Sequence, residues 1–317
     1  MTAKARVVVF GATGMVGGAV VQALERRGAQ VITHPAPRLQ PVEADALDDA
    51  LKNAVGPIAE VADVIGGADA VVNAAGSPDA TGNREADLMA PNALLPAVIA
   101  EAVARAHVAR FVHVSSAAVQ GSRKVLDESA KVAPFSPYSR SKALGEEMVR
   151  SLAGDAAVIY RPPGVHDSNR RVTQVTARLA RSRLSSVARP ATSPSAQALL
   201  GNVGDAIAYL ALVEDRPASV VLHPWEGMTT AGLLAALGDR QPLVLPRVVA
   251  KVIVAALTQV GRVVPAMAAN ARRVEVLWFG QVQGDSWLSS HGWEPPHGLE
   301  AWRAMGVELA RDAEGMQ

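Results

Sequence analysis

The sequence predicts an α/β protein, with a doubly wound parallel sheet followed by a smaller mixed C-terminal lobe. Through residue 165, short apolar runs that indicate buried strands alternate with stretches of helical periodicity, which is typical of a parallel sheet covered on both faces. The chain has 317 residues, 49% of them hydrophobic, so it can bury a large core and still form a second lobe. We therefore expect the sheet in residues 1–165, with a return of the chain near 200–212, and the lobe in residues 166–317.

The first strand and the first helix are joined by a turn that contains three glycines. Val7–Phe10 is an apolar run with the character of a buried strand, and apolar residues recur at helical spacing from Val16 onward. Gly11 lets the chain turn, Gly14 lets a ligand approach the backbone, and Gly17 lets the helix pack closely on the strand. The free N–H groups of the helix point into the turn and favour a pyrophosphate. The spacing G-x-x-G-x-x-G thus predicts a dinucleotide site, with an ordinary β–α loop as the alternative.

The second strand is predicted at residues 30–33, before a loop at residues 34–41 that contains three prolines. A site specific for NAD needs Asp or Glu at the end of this strand to bind the ribose 2′-hydroxyl. No acidic residue lies between residues 31 and 42, whereas His34 and Arg38 do. Because a guanidinium can pair with a 2′-phosphate, we expect NADP(H) to be preferred over NAD(H).

The remaining elements of the predicted sheet follow in chain order. They are a brief strand at 43–46, a helix at 47–55, a strand at 69–76, a long helix at 85–106, a strand at 110–116, a helix at 137–152 and a strand at 156–160. The class of residues 58–67 stays open. Asp45 is expected at the carboxyl end of the brief strand. Ala74, Ala75 and Gly76 end the next one, where such small residues would let a flat ligand lie against the backbone.

Tyr138 and Lys142 are the strongest candidates for chemistry. They are four residues apart in a predicted helix and therefore lie on one helix face. A neighbouring ammonium favours the phenolate and lowers the pKa of a tyrosine, which can then exchange a proton with a substrate oxygen while a nicotinamide carries the hydride. Ser116, at the end of a strand in the same sheet, could bind that oxygen as well. The alternatives are a solvated helix face for the pair and a loop cap for the serine.

Composition and charge argue against several other classes of function. A formal net charge of +1 argues against binding to nucleic acid, and the absence of cysteine excludes disulfides, thiolate catalysis and cysteine-based zinc sites. The seven histidines are scattered without a paired-ligand motif, so we expect no metal site. The N-terminus enters the first strand at once, without the apolar region of a signal peptide, and we therefore expect a cytoplasmic protein.

Five motifs occur in the order and at the approximate intervals of a known family. The five motifs are Gly11-Ala-Thr-Gly-Met-Val-Gly17, Asp69-Ala-Val-Val-Asn-Ala-Ala-Gly76, Phe111-Val-His-Val-Ser-Ser-Ala-Ala-Val119, Tyr138-Ser-Arg-Ser-Lys142 and Arg161-Pro-Pro-Gly164. With them the sequence resembles the extended short-chain dehydrogenase/reductases, specifically the NAD(P)-dependent epimerase/dehydratase group. The resemblance covers about the first 165 residues, and residues 202–206 look like a weakened form of the family's motif on the strand that returns the chain to the sheet.

The resemblance implies a Rossmann domain and an oxidoreductase or epimerase that uses NADP or NAD at a ketone/alcohol centre. It makes Tyr138 the general acid/base, Lys142 the residue that holds the nicotinamide ribose and lowers the pKa of the tyrosine, and Ser116 the carbonyl partner. Asn92 matches the family's structural asparagine, and Asp45 matches the acid beside the adenine. Where the family usually shows Val-Tyr-Gly, this chain has Val119-Gln-Gly121. Cofactor contacts are expected at Asp45, Asn92, Tyr138 and Lys142, and also at Gly11, Thr13, Gly14, Met15, Val16, Gly17, His34, Arg38, Ala74, Ala75, Gly76 and Pro162.

An arginine-rich segment suggests the class of substrate. Residues 170–189 hold six arginines and no acidic residue, and a helix there would bring Arg171, Arg178 and Arg181 near one face. Arginine suits phosphate, so we expect a nucleoside-diphosphate sugar, with a solvated helix face as the alternative. Two other functions stay open: reduction of a non-nucleotide carbonyl such as a steroid- or flavonol-like ketone, and cofactor sensing without turnover. The presence of Ser116, Tyr138 and Lys142 together argues against a sensor.

Residues 245–269 form an apolar segment with helical spacing. Its longest unbroken apolar run, residues 252–257, is far shorter than the ~20 residues that span a bilayer. The first interpretation is a core helix or one that forms a homodimer, and the second is a membrane-surface helix.

Overall fold

The computed structural model describes residues 4–78, 85–121, 123–263 and 265–315, and for residues 261–270 and 314–315 it describes the backbone alone. The strands are β1 (Arg6–Phe10), β2 (Gln30–His34), β3 (Ala70–Asn73), β4 (Arg110–Val114), β5 (Val125–Leu126), β6 (Ala157–Arg161), β7 (Gly164–His166), β8 (Ser186–Ala188), β9 (Gln197–Leu199), β10 (Val220–Leu222), β11 (Leu243–Leu245) and β12 (Val282–Gln283). The helices are α1 (Met15–Arg26), α2 (Leu47–Asn53), α3 (Val55–Ile65), α4 (Glu85–Met89), α5 (Leu95–Arg105), α6 (Pro137–Ala153), α7 (Arg171–Arg181), α8 (Leu200–Leu212), α9 (Thr230–Gly238), α10 (Arg247–Val263), α11 (Pro265–Phe279), α12 (Trp287–Ser290) and α13 (Leu299–Gly315).

The predicted parallel α/β sheet is confirmed. Within the described residues, six parallel strands form one sheet in the order β10-β6-β4-β3-β1-β2. The strand order reverses at β1, which pairs with β2 on one side and with β3 on the other. In open sheets of this kind, ligands bind outside the carboxyl ends of the strands at such a reversal. The fold therefore places a crevice directly after the glycine turn.

Helices cover both faces of the sheet and bury two separate cores. One core packs α3, α5 and α6 on the sheet, and the other packs α1 and α8 together with Leu288 and Trp293 from the C-terminal part of the chain. Strand residues alternate between them, since Val8 and Phe10 belong to the first and Val7 and Val9 to the second. A third core, built around Trp302, lies in the C-terminal lobe.

The predicted strand at residues 43–46 is wrong. Ala44–Ala46 is a short 3-10 turn that leads into α2, and the sheet ends at β2. None of these residues is β-branched or aromatic, so they have little preference for a sheet edge. Asp45 consequently lies exposed in a turn rather than at the end of a strand. Residues 58–67, whose class the sequence left open, are helical through Ile65.

The long predicted helix at 85–106 is present with one irregular turn. A π-helical turn, Ala90–Leu94, joins α4 to α5. Pro91 lies in this turn and lacks the N–H group that a regular helix would use, which explains the local widening. Among the described helices, the stretch Glu85–Arg105 alone has the length and apolar character of a membrane-spanning helix, and 78% of its apolar window is buried inside the protein.

Residues 202–206 lie in a helix and not in a returning strand. Their polar side chains attach α8 to other parts of the chain: Asn202 exchanges two hydrogen bonds with the backbone of His297, and Asp205 pairs with Arg27 and accepts a bond from Trp293 Nε1. Gly204 allows close packing, because a Cβ atom there would lie 2.7 Å from the backbone of α1. The sixth strand of the sheet comes later still, at β10.

The apolar segment at 245–269 is not a core helix. It contains the whole of α10 and the first residues of α11, and within α10 Ala250 and Val254 are buried while Val248 is 74% and Val252 is 64% exposed. The core interpretation is therefore wrong.

Candidate active site

The glycine turn after β1 has the shape that a pyrophosphate requires. Gly11 has a φ of +82°, and a Cβ atom there would lie 2.4 Å from Ala75 N. A Cβ atom on Gly17 would lie 2.0 Å from Gly11 O. Gly14 precedes α1 without a capping side chain, and the first turn carries no acidic residue. The N–H groups at the start of α1, from Met15 and Val16 onward, therefore have the positive environment that a phosphate seeks.

A cleft of about 430 Å³ opens beside this turn, at the carboxyl ends of β1, β2 and β3. Small side chains dominate its lining, so a flat ligand can approach the backbone. Among the predicted cofactor residues, seven line this cleft: Gly11, Thr13, Gly14, His34, Ala74, Ala75 and Gly76. The other lining residues, which the sequence reasoning missed, are Ala12, Thr33, Pro35 and Ala36.

Arg38 and Asp45, both predicted to contact the cofactor, lie outside the residues that line this cleft. Both are exposed. The end of β2 nevertheless presents no carboxylate to the cleft, because its lining residues there run from Thr33 to Ala36. The prediction that NADP(H) is preferred thus depends on the absence of a carboxylate at the end of β2, because Arg38 does not line the cleft.

Asn92 connects the end of β3 to the helix that carries the reactive side chains. Its Oδ1 accepts a 2.9 Å bond from Ser77 N, and its Nδ2 donates to Ser77 O and to Ser141 Oγ, each at 3.1 Å. The side chain is fully buried. A Cβ atom on Gly76 would lie 2.9 Å from Asn92 Oδ1 and 3.1 Å from Lys142 Nζ. Through these bonds Asn92 holds the chain after β3 against α6.

Tyr138 lies in the first turn of α6, where Ser136 and Ser139 form a capping box and Pro137 occupies the first helical position. Ser116, which caps the short 3-10 helix after β4, forms a hydrogen bond with the Tyr138 side chain. Burial raises the pKa of Tyr138, and the bond with Ser116 and the charge of Arg170 only partly oppose this. The pKa of Tyr138 is therefore raised, and not lowered by Lys142 as the sequence predicted.

Lys142 follows one turn later on the same helix and is buried. Its Nζ donates a 3.1 Å hydrogen bond to Val114 O at the end of β4, beside Gly76. Burial lowers the pKa of Lys142 to about 8, and the charge of Glu146 opposes that shift. Ser116, Tyr138 and Lys142 thus converge at the same sheet edge as the cleft.

The match to a family model decides which proteins this one is related to. The model of the NAD-dependent epimerase/dehydratase family matches residues 7–207, which include the glycine turn, the cleft and the three converging side chains. The chain belongs to this family. The family is one of NAD(P)-dependent epimerases, dehydratases and reductases, whose cofactor is a nicotinamide dinucleotide.

Curated relatives match parts of the chain. A dTDP-glucose 4,6-dehydratase of Streptomyces niveus is 38% identical over 90 residues, 27% of this chain and 27% of the dehydratase. The mitochondrial NADH dehydrogenase [ubiquinone] 1 alpha subcomplex subunit 9 of Rattus norvegicus is 31% identical over 169 residues, 49% of this chain and 39% of the subunit. The chain thus spans well under half the length of either relative.

Solved structures of similar proteins share the fold over nearly the whole chain. The dTDP-4-dehydrorhamnose reductase of Bacillus anthracis, solved with NADP, superimposes with a TM-score of 0.63 at 16% identity and covers 96% of this chain and 99% of its own. The UDP-glucuronic acid 4-epimerase of Bacillus cereus, solved with NAD, gives a TM-score of 0.64 at 15% identity with the same coverage. At these identities the likeness concerns the fold alone.

A buried ion pair joins Glu146, one helical turn beyond Lys142, to Arg161. Glu146 receives two bonds from Arg161, at 2.6 Å from Nη2 and 2.9 Å from Nε. Ser115 Oγ donates a third bond to Glu146 at 2.5 Å. Both charged side chains are almost fully buried. Sequence reasoning missed this pair, because Arg161 was noted only as part of a turn motif.

Among the arginines of residues 170–189, Arg170 is the one whose charge acts on the reactive tyrosine. Its charge lowers the pKa of Tyr138. The pKa of Arg170 itself is lowered mainly by burial, and the charge of Arg273 lowers it further. Arg171 and Arg178, which the sequence predicts to face a substrate, are exposed on α7. Arg181 donates to backbone oxygens of α13 and thereby joins two helices of the lobe.

Two further predicted features support the loop after β4. Pro162 O accepts a 2.9 Å bond from Ala117 N, which fixes the backbone next to Ser116. Gln120, at the position where the family usually has tyrosine, is buried and exchanges two hydrogen bonds with Asp127, at 2.8 and 2.9 Å. In this chain Gln120 stabilises the loop.

Proposed function

We propose that the protein reduces or epimerises a ketone/alcohol centre on a nucleoside-diphosphate sugar, with NADP(H) as the preferred cofactor. The observation that carries this proposal is the convergence of Ser116, Tyr138 and Lys142 beside the glycine-lined cleft, with Arg170 next to the tyrosine. A bound nicotinamide supplies or accepts the hydride. The chain itself provides the proton and holds the substrate oxygen.

Tyr138 is the group proposed to transfer the proton. Because its pKa is raised, the phenol is protonated at neutral pH and can donate to a substrate oxygen in the direction of reduction. Ser116, already hydrogen-bonded to the phenol, can contact the same oxygen and fix its position. Lys142 is still largely charged near neutral pH and lies beside Gly76, where it can donate to the ribose of the cofactor.

Arginine near the reactive tyrosine supports an anionic substrate. Arg170 lies in this region, where the charge of Arg273 lowers the pKa of Arg170, and guanidinium groups suit phosphate or carboxylate. Among the structural neighbours, MoeE5 was solved with UDP-glucuronic acid and NAD, and also with UDP-glucose and NAD. An uncharged apolar ketone would gain nothing from these arginines.

Competition by nucleoside diphosphates tests the substrate class. UDP, TDP and GDP should inhibit turnover, and more weakly at high salt, since salt screens ion pairs. Arg170→Gln should weaken this inhibition, whereas Arg178→Gln, an exposed control on α7, should leave it unchanged. If no nucleoside diphosphate binds at millimolar concentration while an apolar ketone is reduced, the alternative reductase function replaces this one.

Calorimetric titration tests the cofactor preference. We expect tighter binding of NADPH than of NADH, because the end of β2 carries no carboxylate to repel a 2′-phosphate. Thr33→Asp would place a carboxylate in the cleft lining and should reverse the preference. Gln30→Asp, at the opposite end of β2, is the matched control. Equal or tighter binding of NADH by the unaltered protein would contradict the NADP(H) proposal and leave the reaction class untouched.

A further inference from the structure

Helix α10 and the strand before it, β11, carry apolar side chains at the protein surface. Val248 is 74% exposed, Val252 is 64% exposed and Leu243 is 59% exposed. Solvent-exposed apolar side chains that lie together are unfavourable in water, so a set of neighbouring ones indicates a contact surface. We define the apolar face as Leu243, Val244, Val248, Val249, Val252, Ile253 and Val260, all of which are exposed.

The sides of α10 have different chemical characters. Ala250 and Val254, four residues apart, form the stripe that packs on the protein. Val248 and Val252, four residues apart, lie on the far side of the helix, and Val260 lies on its flank. At about 100° per residue, Lys251 lies between the packed stripe and the apolar face. The helix is therefore amphipathic on its exposed surface, with a basic residue along one edge.

The charge of this region has one sign. Helix α10, residues 247–263, contains three basic residues and no acidic one. Lys251 is exposed. Arg247, at the start of α10, stacks on Phe279 with its guanidinium carbon 5.3 Å from the ring centroid and donates a hydrogen bond to Arg189 O. The helix thus offers apolar surface and a net positive charge together.

We propose that this face binds an anionic lipid surface, with α10 lying in the plane of the interface. Apolar side chains flanked by Lys and Arg are the features by which helices bind at the boundary of headgroups and acyl chains. Anionic headgroups attract basic residues near the surface. With 17 residues, α10 is about 25 Å long, and its charged residues and short apolar run fit an in-plane position rather than a membrane span.

The charge pattern favours a lipid surface over a second copy of the chain. Another α10 would cover the apolar face, but neither β11 nor α10 carries a carboxylate to pair with Arg247 or Lys251. An anionic bilayer supplies both an apolar layer and negative charge. The face does not include Ser116, Tyr138 or Lys142, so the proposal is independent of the reaction that the enzyme catalyses.

Sedimentation with vesicles tests the proposal on the full chain. The protein should co-sediment with vesicles of phosphatidylcholine plus phosphatidylglycerol and far less with phosphatidylcholine alone. Val252→Glu should lower the bound fraction at least about tenfold, since it removes one buried apolar side chain and adds a repelled charge. Val55→Glu, at a position on α3 that is 61% exposed, is the matched control and should bind as the parent does. Lys251→Glu and high salt should also weaken binding.

Analytical ultracentrifugation on the same variants separates the proposal from self-association. The expected result is an association state that Val252→Glu leaves unchanged. The proposal is overturned if the parent ignores anionic vesicles, or if Val252→Glu binds them as well as the parent does. A parent dimer that Val252→Glu dissociates, without vesicle binding by the parent, would instead identify the face as a contact between copies.

Discussion

Burial is the main influence on the pKa values of Tyr138 and Lys142, which lie one helical turn apart. Burial raises the pKa of the phenol and lowers the pKa of the ammonium to about 8, because it disfavours the charged form of each. Near pH 7 the tyrosine is therefore neutral and the lysine largely charged. This is the combination of states that a proton donor and a cationic ribose ligand require.

Replacing the phenol hydroxyl should separate chemistry from binding. Tyr138→Phe keeps the ring and its packing but removes the transferable proton, so turnover should fall by about 10²- to 10⁴-fold while cofactor affinity stays within a few-fold. Steady-state rates and calorimetric binding of NADPH measure the two effects. Turnover within a few-fold of the parent would remove Tyr138 from the proposed mechanism.

The lowered pKa of Lys142 predicts how stability depends on pH. The unfolded chain holds this proton up to its ordinary pKa of 10.5, whereas the folded protein releases it near pH 8. Between these values the unfolded state binds more protons, so the contribution of Lys142 to stability rises with pH by roughly 3 kcal/mol. Lys142→Met should lack this rise. Urea unfolding of both proteins from pH 7 to pH 10.5 measures the difference, and parallel curves would contradict the lowered pKa.

Residue identity was readable from sequence where the signal was local. Tyr138 and Lys142 are four positions apart on a helix, and the glycine turn lies within one strand–helix unit, so spacing alone indicated them. Arg170 reaches Tyr138 from 32 positions away, and sequence spacing favoured Arg171 and Arg178 instead. The position of such a side chain depends on the path of the intervening chain, which spacing does not encode.

At the scale of elements, α6 organises the site. Its capping box fixes the turn that holds Tyr138, and its next turns carry Lys142 and Glu146. Gly145 lets α6 approach the π-helical turn closely, since a Cβ atom there would lie 2.1 Å from Asn92 O. Glu146 then joins α6 to β6 through Arg161. The helix is thereby held at the carboxyl edge of the sheet from two sides.

The contact between α6 and β6 should be costly to break. Glu146→Gln leaves the buried guanidinium of Arg161 without its charged partner, which typically costs about 3–5 kcal/mol. The pair formed by Arg140 and Glu85 provides the control on the same helix, because its side chains are 44% and 34% exposed. Arg140→Gln should cost less than about 1 kcal/mol. Urea denaturation measures both, and similar losses for the two variants would contradict this account.

Most strands and helices of the sheet domain followed from apolar runs and helical periodicity, because their burial is strong and local in sequence. The errors share a different cause. The 3-10 turn at residues 44–46 and the helix at residues 202–206 depend on what the neighbouring segments leave uncovered. The exposure of α10 was missed for the same reason, because an apolar pattern in the sequence does not distinguish a buried helix face from an exposed one.

At the scale of the whole molecule, the C-terminal part of the chain completes a core of the sheet. Leu288 and Trp293 pack in the same buried cluster as Val7 and Val9 of β1. Trp293 Nε1 also donates to Asp205, and Glu128 accepts bonds from the backbone of Leu222 and Trp287. The contacts made by Val7, Val9 and Glu128 cross the predicted boundary at residue 165, so neither part can unfold without exposing apolar surface of the other.

We therefore expect the chain to unfold in one transition, and cofactor binding to stabilise both parts together. All five tryptophans lie between residues 225 and 302, so their fluorescence reports on the C-terminal part, whereas far-ultraviolet circular dichroism reports on every helix. The thermal midpoints from the two signals should coincide, and saturating NADPH should raise both equally. At a free concentration 100 times the dissociation constant, the stabilisation should be about 2.7 kcal/mol.

Leu288→Ala, in the shared core, and Leu234→Ala, in the core of the lobe, should each cost about 2–5 kcal/mol and lower both midpoints. A fluorescence midpoint that NADPH leaves in place would show instead that the C-terminal lobe unfolds by itself, because a ligand bound at the glycine turn stabilises only what unfolds with it.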